Sequence, residues 1–339
     1  MNKEKLLLTG ATGFLGAYVL ERLLQKGYAV RALRRASSPM DMVADLADRV
    51  EWVEGDITDL VALEDAFEGV TRVIHSAALV SHHPRDLQQM NRVNIEGTAN
   101  IVNLSLEFGI QKLVHVSSIA ALGRSKDRTV LSEDSKWVQS PDNSRYAVSK
   151  YLAEQEVWRG HAEGLTVAIA NPAVILGAGF WHTGTGRLFR QVDQGLRFWS
   201  SGRSGFVDVR DVADFILLLL ENDINGERYV LSAETRPFRD LFNLAARALD
   251  RKPPSIKVTA PLAEIAWRVE WLKEKLLGTE PIVTKESARA SLNQYVYDNE
   301  KSLGVPGFRY RPFEDTVRET AGAYRDSVQK GLKATRLTP

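Results

Sequence analysis

Lys5 to Gly16 reads KLLLTGATGFLG, an apolar run that stops at a turn of three glycines and restarts as a helix. Leu6, Leu7 and Leu8 form a short continuous apolar stretch, which suits a central parallel strand covered on both faces. Gly10 permits the tight turn, Gly13 lets the backbone come close to a pyrophosphate, and Gly16 lets the new helix sit tightly against the strand. Phe14, Leu15, Tyr18, Val19 and Leu23 then recur at helical spacing. Unpaired N–H groups and the positive dipole end at that helix start would bind the phosphates. Glycines also make ordinary turns, but this set follows a strand, opens a helix and lies at the N-terminus, which favours nucleotide binding.

The totals bound the rest. At 339 residues the chain suits one large or two intimately associated domains. Lys plus Arg is 44 and Asp plus Glu is 43, so no global field favours nucleic acid or an anionic membrane. With no cysteine, disulfides, thiolate metal sites and a Cys nucleophile are excluded. The strand entered by Lys5 leaves no room for a signal peptide, and no run reaches the ~18 apolar residues of a membrane span. The expectation is a soluble, cytoplasmic protein acting on a small molecule.

Outward from the glycine turn, Ala29 to Leu33 reads as a second strand that ends in Arg34 and Arg35 rather than an acid. An acid there would accept from both ribose hydroxyls of NAD, whereas a guanidinium pairs with a 2′-phosphate, so NADP(H) is favoured and NAD(H) stays possible. Two solvated surface arginines are the plainer alternative. Val50 to Glu54 is a third strand, followed by Asp56, Ile57 and Asp59; one acid would contact adenine and the other cap the helix near Leu60. Val70 to His75 is a fourth, ending in Ser76, Ala77 and Ala78, whose small side chains let the chain pass beneath a cofactor. His75, His82 and His83 resemble a metal cluster, yet no suitably spaced carboxylate or cysteine completes it, so no metal is expected. A helix from about Leu87 to Phe108 carries Asn94 in apolar surroundings, where a buried amide would tie it to a neighbouring backbone.

Lys112 to Val116 is the fifth strand, with Ser117 and Ser118 at the carboxyl end where an open parallel sheet binds ligands. After a polar loop from Arg124 to Asn143, Tyr146 and Lys150 stand one helical turn apart. An ammonium beside a phenol favours phenolate and makes the pair a proton donor and acceptor near neutral pH. Thr166 to Ala170 is a sixth strand leading into Pro172, Ala173 and Val174. Gly177 to Gly186, with Trp181, reads as an irregular loop over the site and not a core element. Asp208, Arg210 and Asp211 read as an ion-paired anchor, Tyr229 to Leu231 as another strand, and Glu314 to Lys330 as a final helix. Between Pro261 and Leu277, Leu262, Ile265, Ala266, Val269, Leu272 and Leu276 form a stripe that belongs in a core. Trp267 and Trp271 lie off it, for a substrate pocket, a dimer face, a membrane surface or simple packing.

TGATGFLG, VSSIAALG, YAVSK and NPAVILGAG, in that order, resemble the extended short-chain dehydrogenase/reductase family, within the NAD-dependent epimerase/dehydratase superfamily. RALRR, HSAALV, VNIEGTANIV and FVDVRDVAD are similar to its dihydroflavonol-4-reductase-like and 3β-hydroxysteroid-dehydrogenase-like branch. The resemblance reaches about Leu231 and implies an α/β fold. A Rossmann-type doubly wound parallel sheet would span residues 1–172 plus about 206–232, and a smaller, mostly helical C-terminal substrate lobe residues 173–205 and 233–339. It implies Tyr146 as proton donor, Lys150 as the group that lowers its pKa and holds the nicotinamide ribose, and Ser118 as the hydroxyl polarising the substrate carbonyl. Ser117 would face the cofactor. The implied cofactor contacts are Gly10, Thr12, Gly13, Phe14, Leu15, Gly16, Arg34, Arg35, Asp56, Ile57, Ser76, Ala77, Ala78, Ser117, Tyr146, Lys150, Pro172, Ala173 and Val174.

The reaction implied is hydride transfer between nicotinamide and a carbonyl or secondary alcohol. Trp181, Phe189, Phe198, Trp199, Trp267 and Trp271 make an apolar substrate more plausible than a charged one. A nucleotide-sugar epimerase or dehydratase with tightly bound NAD is the alternative, supported by Arg187, Arg190, Arg197 and Arg203; a non-catalytic sensor is a second. Family members often pair through four helices, here those from Leu87 and Tyr146, which allows a homodimer.

Overall fold

A computed structural model describes residues 4–125, 129–277 and 284–337. The opening run is β1 (Lys5–Thr9), and the helix after the glycine turn is α1 (Phe14–Gln25). There follow β2 (Ala29–Arg34), β3 (Glu51–Glu54), α2 (Leu60–Phe67), β4 (Arg72–His75), α3 (Leu87–Asn91), α4 (Gly97–Glu107), β5 (Lys112–Val116) and β6 (Val130–Leu131). The middle supplies α5 (Arg145–Ala162), β7 (Val167–Pro172), β8 (Val174–Leu176), α6 (Gly186–Asp193), β9 (Phe198–Ser200), β10 (Arg203–Asp208), α7 (Val209–Glu221) and β11 (Glu227–Leu231). The last third is β12 (Glu234–Pro237), α8 (Phe238–Ala248), β13 (Ile256–Val258), α9 (Ala260–Leu277), α10 (Lys285–Ala290), β14 (Val296–Tyr297), α11 (Glu300–Leu303) and α12 (Phe313–Gln329).

Seven strands form one sheet in the order β11-β7-β5-β4-β1-β2-β3, every neighbour parallel. Because side chains alternate across a strand, Leu6 and Leu8 enter one core with residues of α1 and α7, while Leu7 enters another with α2, α4 and α5. Covering both faces explains why β1 is apolar at consecutive positions. Successive strands build outward in opposite directions from β1 and β4, and the crevice past their carboxyl ends is where such sheets bind ligands. Gly10 stands there with φ +74°, and a Cβ on it would lie 2.7 Å from the Ala77 nitrogen. A Cβ on Gly16 would lie 2.0 Å from the Gly10 oxygen, so α1 could not reach its place.

The C-terminal lobe holds strands as well as the expected helices. β12, β10 and β8 form a three-stranded sheet, so Phe206 pairs there, while α7 packs on α1 and β11 joins the large sheet. Phe189, Leu241, Phe242, Phe313, Val317 and Tyr324 build the lobe's own core. Asp208 accepts from the Arg210 nitrogen at 2.8 Å to cap α7, Arg210 pairs with Glu319 at 2.7 Å, and Asp211 pairs with Arg311. These ties to the lobe agree with the anchoring reading.

Three expectations change. Trp181 is 2% exposed in the lobe core against Tyr324, and its backbone nitrogen donates to the Lys333 carbonyl, so half of the Gly177 to Gly186 loop is core; Thr183 and Gly184 alone of it border the cleft. The α9 stripe faces largely outward, with Ile265 58%, Val269 46%, Leu272 49% and Leu276 72% exposed, while Leu262 and Ala266 are half-buried. Between Arg124 and Asn143 the loop contributes β6, with residues 126–128 of that expectation outside the described ones. No described helix is long and apolar enough to cross a membrane.

Candidate active site

Two adjoining cavities occupy the carboxyl edge of the sheet. The first, about 210 Å³, is lined by Gly10, Thr12 and Gly13 of the turn, Arg34 and Arg35 after β2, Asp56 and Ile57 after β3, and Ser76, Ala77 and Ala78 after β4. Local structure holds these pieces still. The Asp56 carboxylate accepts from the Thr58 nitrogen and hydroxyl at 2.9 and 2.8 Å, while Asp59 caps α2 through the Ala62 nitrogen at 3.3 Å, so the capping role expected of one of the two acids falls to Asp59. The Ala77 nitrogen donates to the Thr9 hydroxyl at 3.2 Å, which also meets His75 Nδ1 at 2.8 Å. His75 is therefore a core residue, and its burial, with the nearby Lys150 charge, lowers its pKa to about 3.

The second cavity, about 1020 Å³, is lined by Ala78, Ser118, Tyr146, Ala173 and Val174 on the sheet side. Phe238, Phe242, Tyr295, Tyr297, Arg187 and Arg203 line it from the lobe. Ala78 borders both cavities, making them one cleft. Ser118 caps a short 3-10 turn, accepting from the Ala120 nitrogen at 3.1 Å, and lines the cavity together with Tyr146. Burial raises the phenol's pKa and the Ser118 hydroxyl works against that rise.

Lys150 departs from expectation. It shares a face of α5 with Tyr146, yet its Nζ donates to the Val116 carbonyl at 2.9 Å, beneath the cleft. Burial lowers its pKa to about 8, with the Glu154 charge acting the other way. The phenol's pKa is thus raised rather than lowered. Sharing a helical face sets direction, and the tie to the end of β5 decides where the ammonium sits.

Ser117 also differs. Its hydroxyl donates to Glu154 Oε2 at 2.7 Å, away from the expected cofactor side, because it belongs to a buried cluster under the strand ends. Glu154 also accepts from Asn171 Nδ2 at 2.8 Å and pairs with Arg228 at 2.8 Å. Pro172 ends β7 in register with Leu231 and lines neither cavity. Phe14 and Leu15 pack instead of pointing into the cleft: Phe14 lies edge-on to Tyr18, and Leu15 is in the core. What they offer a ligand is their place in the first turn of α1, whose N-cap Gly13 supplies no side-chain acceptor.

The sequence reading missed Ser38, Leu33, Gly55, Leu79, Gln89 and Val93 around the first cavity, and Glu154, Asn171 and Arg228 beneath the second. Helical spacing marks Glu154, one turn after Lys150. Nothing local marks the others. Of the aromatics expected around a substrate, Trp181 and Phe189 are core, and Trp199 stacks under Arg239 at 4.5 Å. Among the described residues, no group of three His, Cys, Asp or Glu is placed to hold a metal ion.

A nucleotide fits the residues present. The first turn of α1 has neither a side-chain cap nor an acidic residue, so its N–H groups face no competing anion. No described carboxylate pairs with Arg34 or Arg35. Sheet order, glycine turn and the Ser118, Tyr146 and Lys150 arrangement define a class: the chain belongs to the NAD dependent epimerase/dehydratase family, whose profile matches residues 6–232. It is an oxidoreductase of that family.

Particular relatives sharpen the placement. A putative dihydroflavonol 4-reductase of Synechocystis sp. is 33% identical over 316 residues, covering 88% of this chain and 89% of that protein. Sterol demethylase protein B of Methylococcus capsulatus is 36% identical over 232 residues, 67% of this chain and 69% of that one. The crystal structure of gox2253 matches with a TM-score of 0.81 at 32% identity, over 96% of this chain and 98% of that one. These agree with the dihydroflavonol-4-reductase-like branch.

Proposed function

We propose that the protein is an NADP(H)-dependent reductase of a carbonyl on an apolar small molecule, reversible to a secondary alcohol. The observation that carries this reading is the single cleft, with Arg34, Arg35 and Ser38 at one end and Ser118 and Tyr146 at the other. A nicotinamide dinucleotide held in this cleft would supply or accept the hydride. Gly10, Gly13 and the start of α1 receive its phosphates, Asp56 its adenine, and the two guanidinium groups a 2′-phosphate. Tyr146 gives its phenolic proton to the substrate oxygen, and the Ser118 hydroxyl donates a hydrogen bond to the same oxygen as charge develops. Lys150, buried beneath, returns positive charge toward the phenolate left behind. Residues of 1–172 and about 206–232 would hold the cofactor and the remainder the substrate.

Calorimetric titration tests the cofactor end. NADPH binds more tightly than NADH to the native protein, and Arg34→Ala or Arg35→Ala removes about 1.5–3 kcal/mol of that preference, roughly ten- to hundredfold. Preference for NADH, unchanged in both variants, overturns the phosphate assignment. A second reading rests on Arg187 and Arg203, which line the larger cavity where a sugar diphosphate would lie. Protein that purifies with NAD already bound and interconverts nucleotide sugars would establish that reading instead.

A further inference from the structure

Trp267 and Trp271 have no part in the cleft so far described. They stand one turn apart on α9 and line a separate, open-sided chamber of about 640 Å³, with Trp271 48% exposed at its edge and His82, His83 and Arg145 on its other side. That size falls within the roughly 300–1,000 Å³ of small-molecule pockets. The chamber adjoins the catalytic cleft, because His82, His83, Arg85 and Thr284 line both. His82 forms the partition, with its ring edge-on to Tyr146 at 6.3 Å between centroids.

We propose that this chamber is a substrate subsite that takes the apolar, non-reacting end of an extended carbonyl compound whose reacting carbon lies at Tyr146. The proposal rests on the reductase reading and adds the substrate's shape. Its walls carry charge, and most of that charge lies near an opposite charge or an indole ring. His83 Nε2 meets Glu274 at 2.7 Å, Glu286 lies 3.9 Å from His82 and 3.6 Å from Arg145, and Lys275 sits over the Trp271 ring at 4.3 Å. Lys285 sits over the Trp267 ring at 5.5 Å in the same way, so each indole holds a cation on its ring and leaves the remainder of its apolar surface to a ligand. Indole walls favour hydrocarbon and ring systems, through burial of apolar area and stacking. Neither Ser118 nor Tyr146 is among the residues lining the chamber, and its His83 is engaged by Glu274, so the chamber is assigned binding and not reaction. The His83 to Glu274 bond also ties the loop after β4 to α9, keeping the chamber open beside the cleft.

The test uses the full chain with NADPH and methyl ketones that share one reacting group: acetone, geranylacetone and farnesylacetone. Native protein shows KM falling as the tail lengthens, by at most about fourfold per buried methylene. Trp267→Ala and Trp271→Ala raise KM for farnesylacetone by about tenfold, leave acetone turnover and NADPH affinity unchanged, and the Phe variants restore most of the loss. Equal KM along the ladder, or equal losses for short and long ketones, overturns the subsite. A second measurement does not depend on turnover. Energy transfer from tryptophan to anilinonaphthalene sulfonate reports binding of an apolar ring system, and farnesylacetone displaces the dye from native protein. Both Ala variants bind this probe several-fold more weakly; unchanged binding in both overturns the subsite. Absence of hydride transfer to every ketone, with dye binding as described, would instead remove the reductase reading and leave the chamber.

Discussion

Tyr146 and Lys150 are separated by one helical turn, and burial moves their ionisations apart: the phenol is raised and the ammonium lowered to about 8. Replacing the phenol by Phe leaves the ring in place and removes the transferable proton. Tyr146→Phe is expected to cut turnover by roughly a hundred- to ten-thousandfold with NADPH affinity nearly unchanged, measured by steady-state kinetics beside calorimetry. Lys150 makes a separate prediction about stability. An unfolded lysine titrates near 10.5, above the folded value of about 8, so between those values the unfolded chain holds a proton that the folded one has released. Stability therefore rises with pH across that window, and the full penalty of burying the charge is present below it. The rise attributable to this group is ~3 kcal/mol, and Lys150→Met should flatten it in urea unfolding followed from pH 8 to pH 10. An identical slope in the variant would mean that other groups carry the dependence.

At the level of elements, the helix after β4 is interrupted by a π-helical segment, Arg92–Glu96, between α3 and α4. Asn94 lies in that segment and satisfies its amide completely: Oδ1 accepts from the Leu79 nitrogen at 2.7 Å, and Nδ2 donates to the Leu79 carbonyl at 2.9 Å and to Ser149 at 3.0 Å. The irregular segment thus fastens the loop lining the cofactor cavity to α5, which carries Tyr146 and Lys150. Asn94→Leu strands a buried N–H and carbonyl, and is expected to cost about 1–3 kcal/mol in chemical unfolding. It should also weaken NADPH binding, since Leu79 lines the first cavity. Unchanged binding in a folded variant would limit Asn94 to a packing role.

For the whole molecule, two helical layers and a lobe leave little apolar surface on α5 except Val148 and Leu152, each 40% exposed and one turn apart. Pairing of two copies across α4 and α5 is the proposal that accounts for them. Sedimentation of the native protein should then give a dimer, and Val148→Glu with Leu152→Glu a monomer that retains NADPH binding. A native monomer at micromolar concentration would end that proposal.

What could be read from the residues in order is local. Leu6 to Leu8 before three glycines define strand, turn and helix because each residue acts on its immediate neighbours. Arg34 and Arg35 inherit their place from the strand they end, and Tyr146 and Lys150 inherit a shared face from helical spacing. What needed the folded chain is contact across distance. Ser117 meets Glu154, Lys150 meets Val116, Trp181 meets Tyr324, and each pairing is set by how separate layers pack, which residue spacing does not encode. The same holds for α9. Amphipathic periodicity specifies two faces of a helix, but only the presence or absence of a neighbouring layer settles which face is covered, and here the indoles face the chamber while the aliphatic stripe faces largely outward.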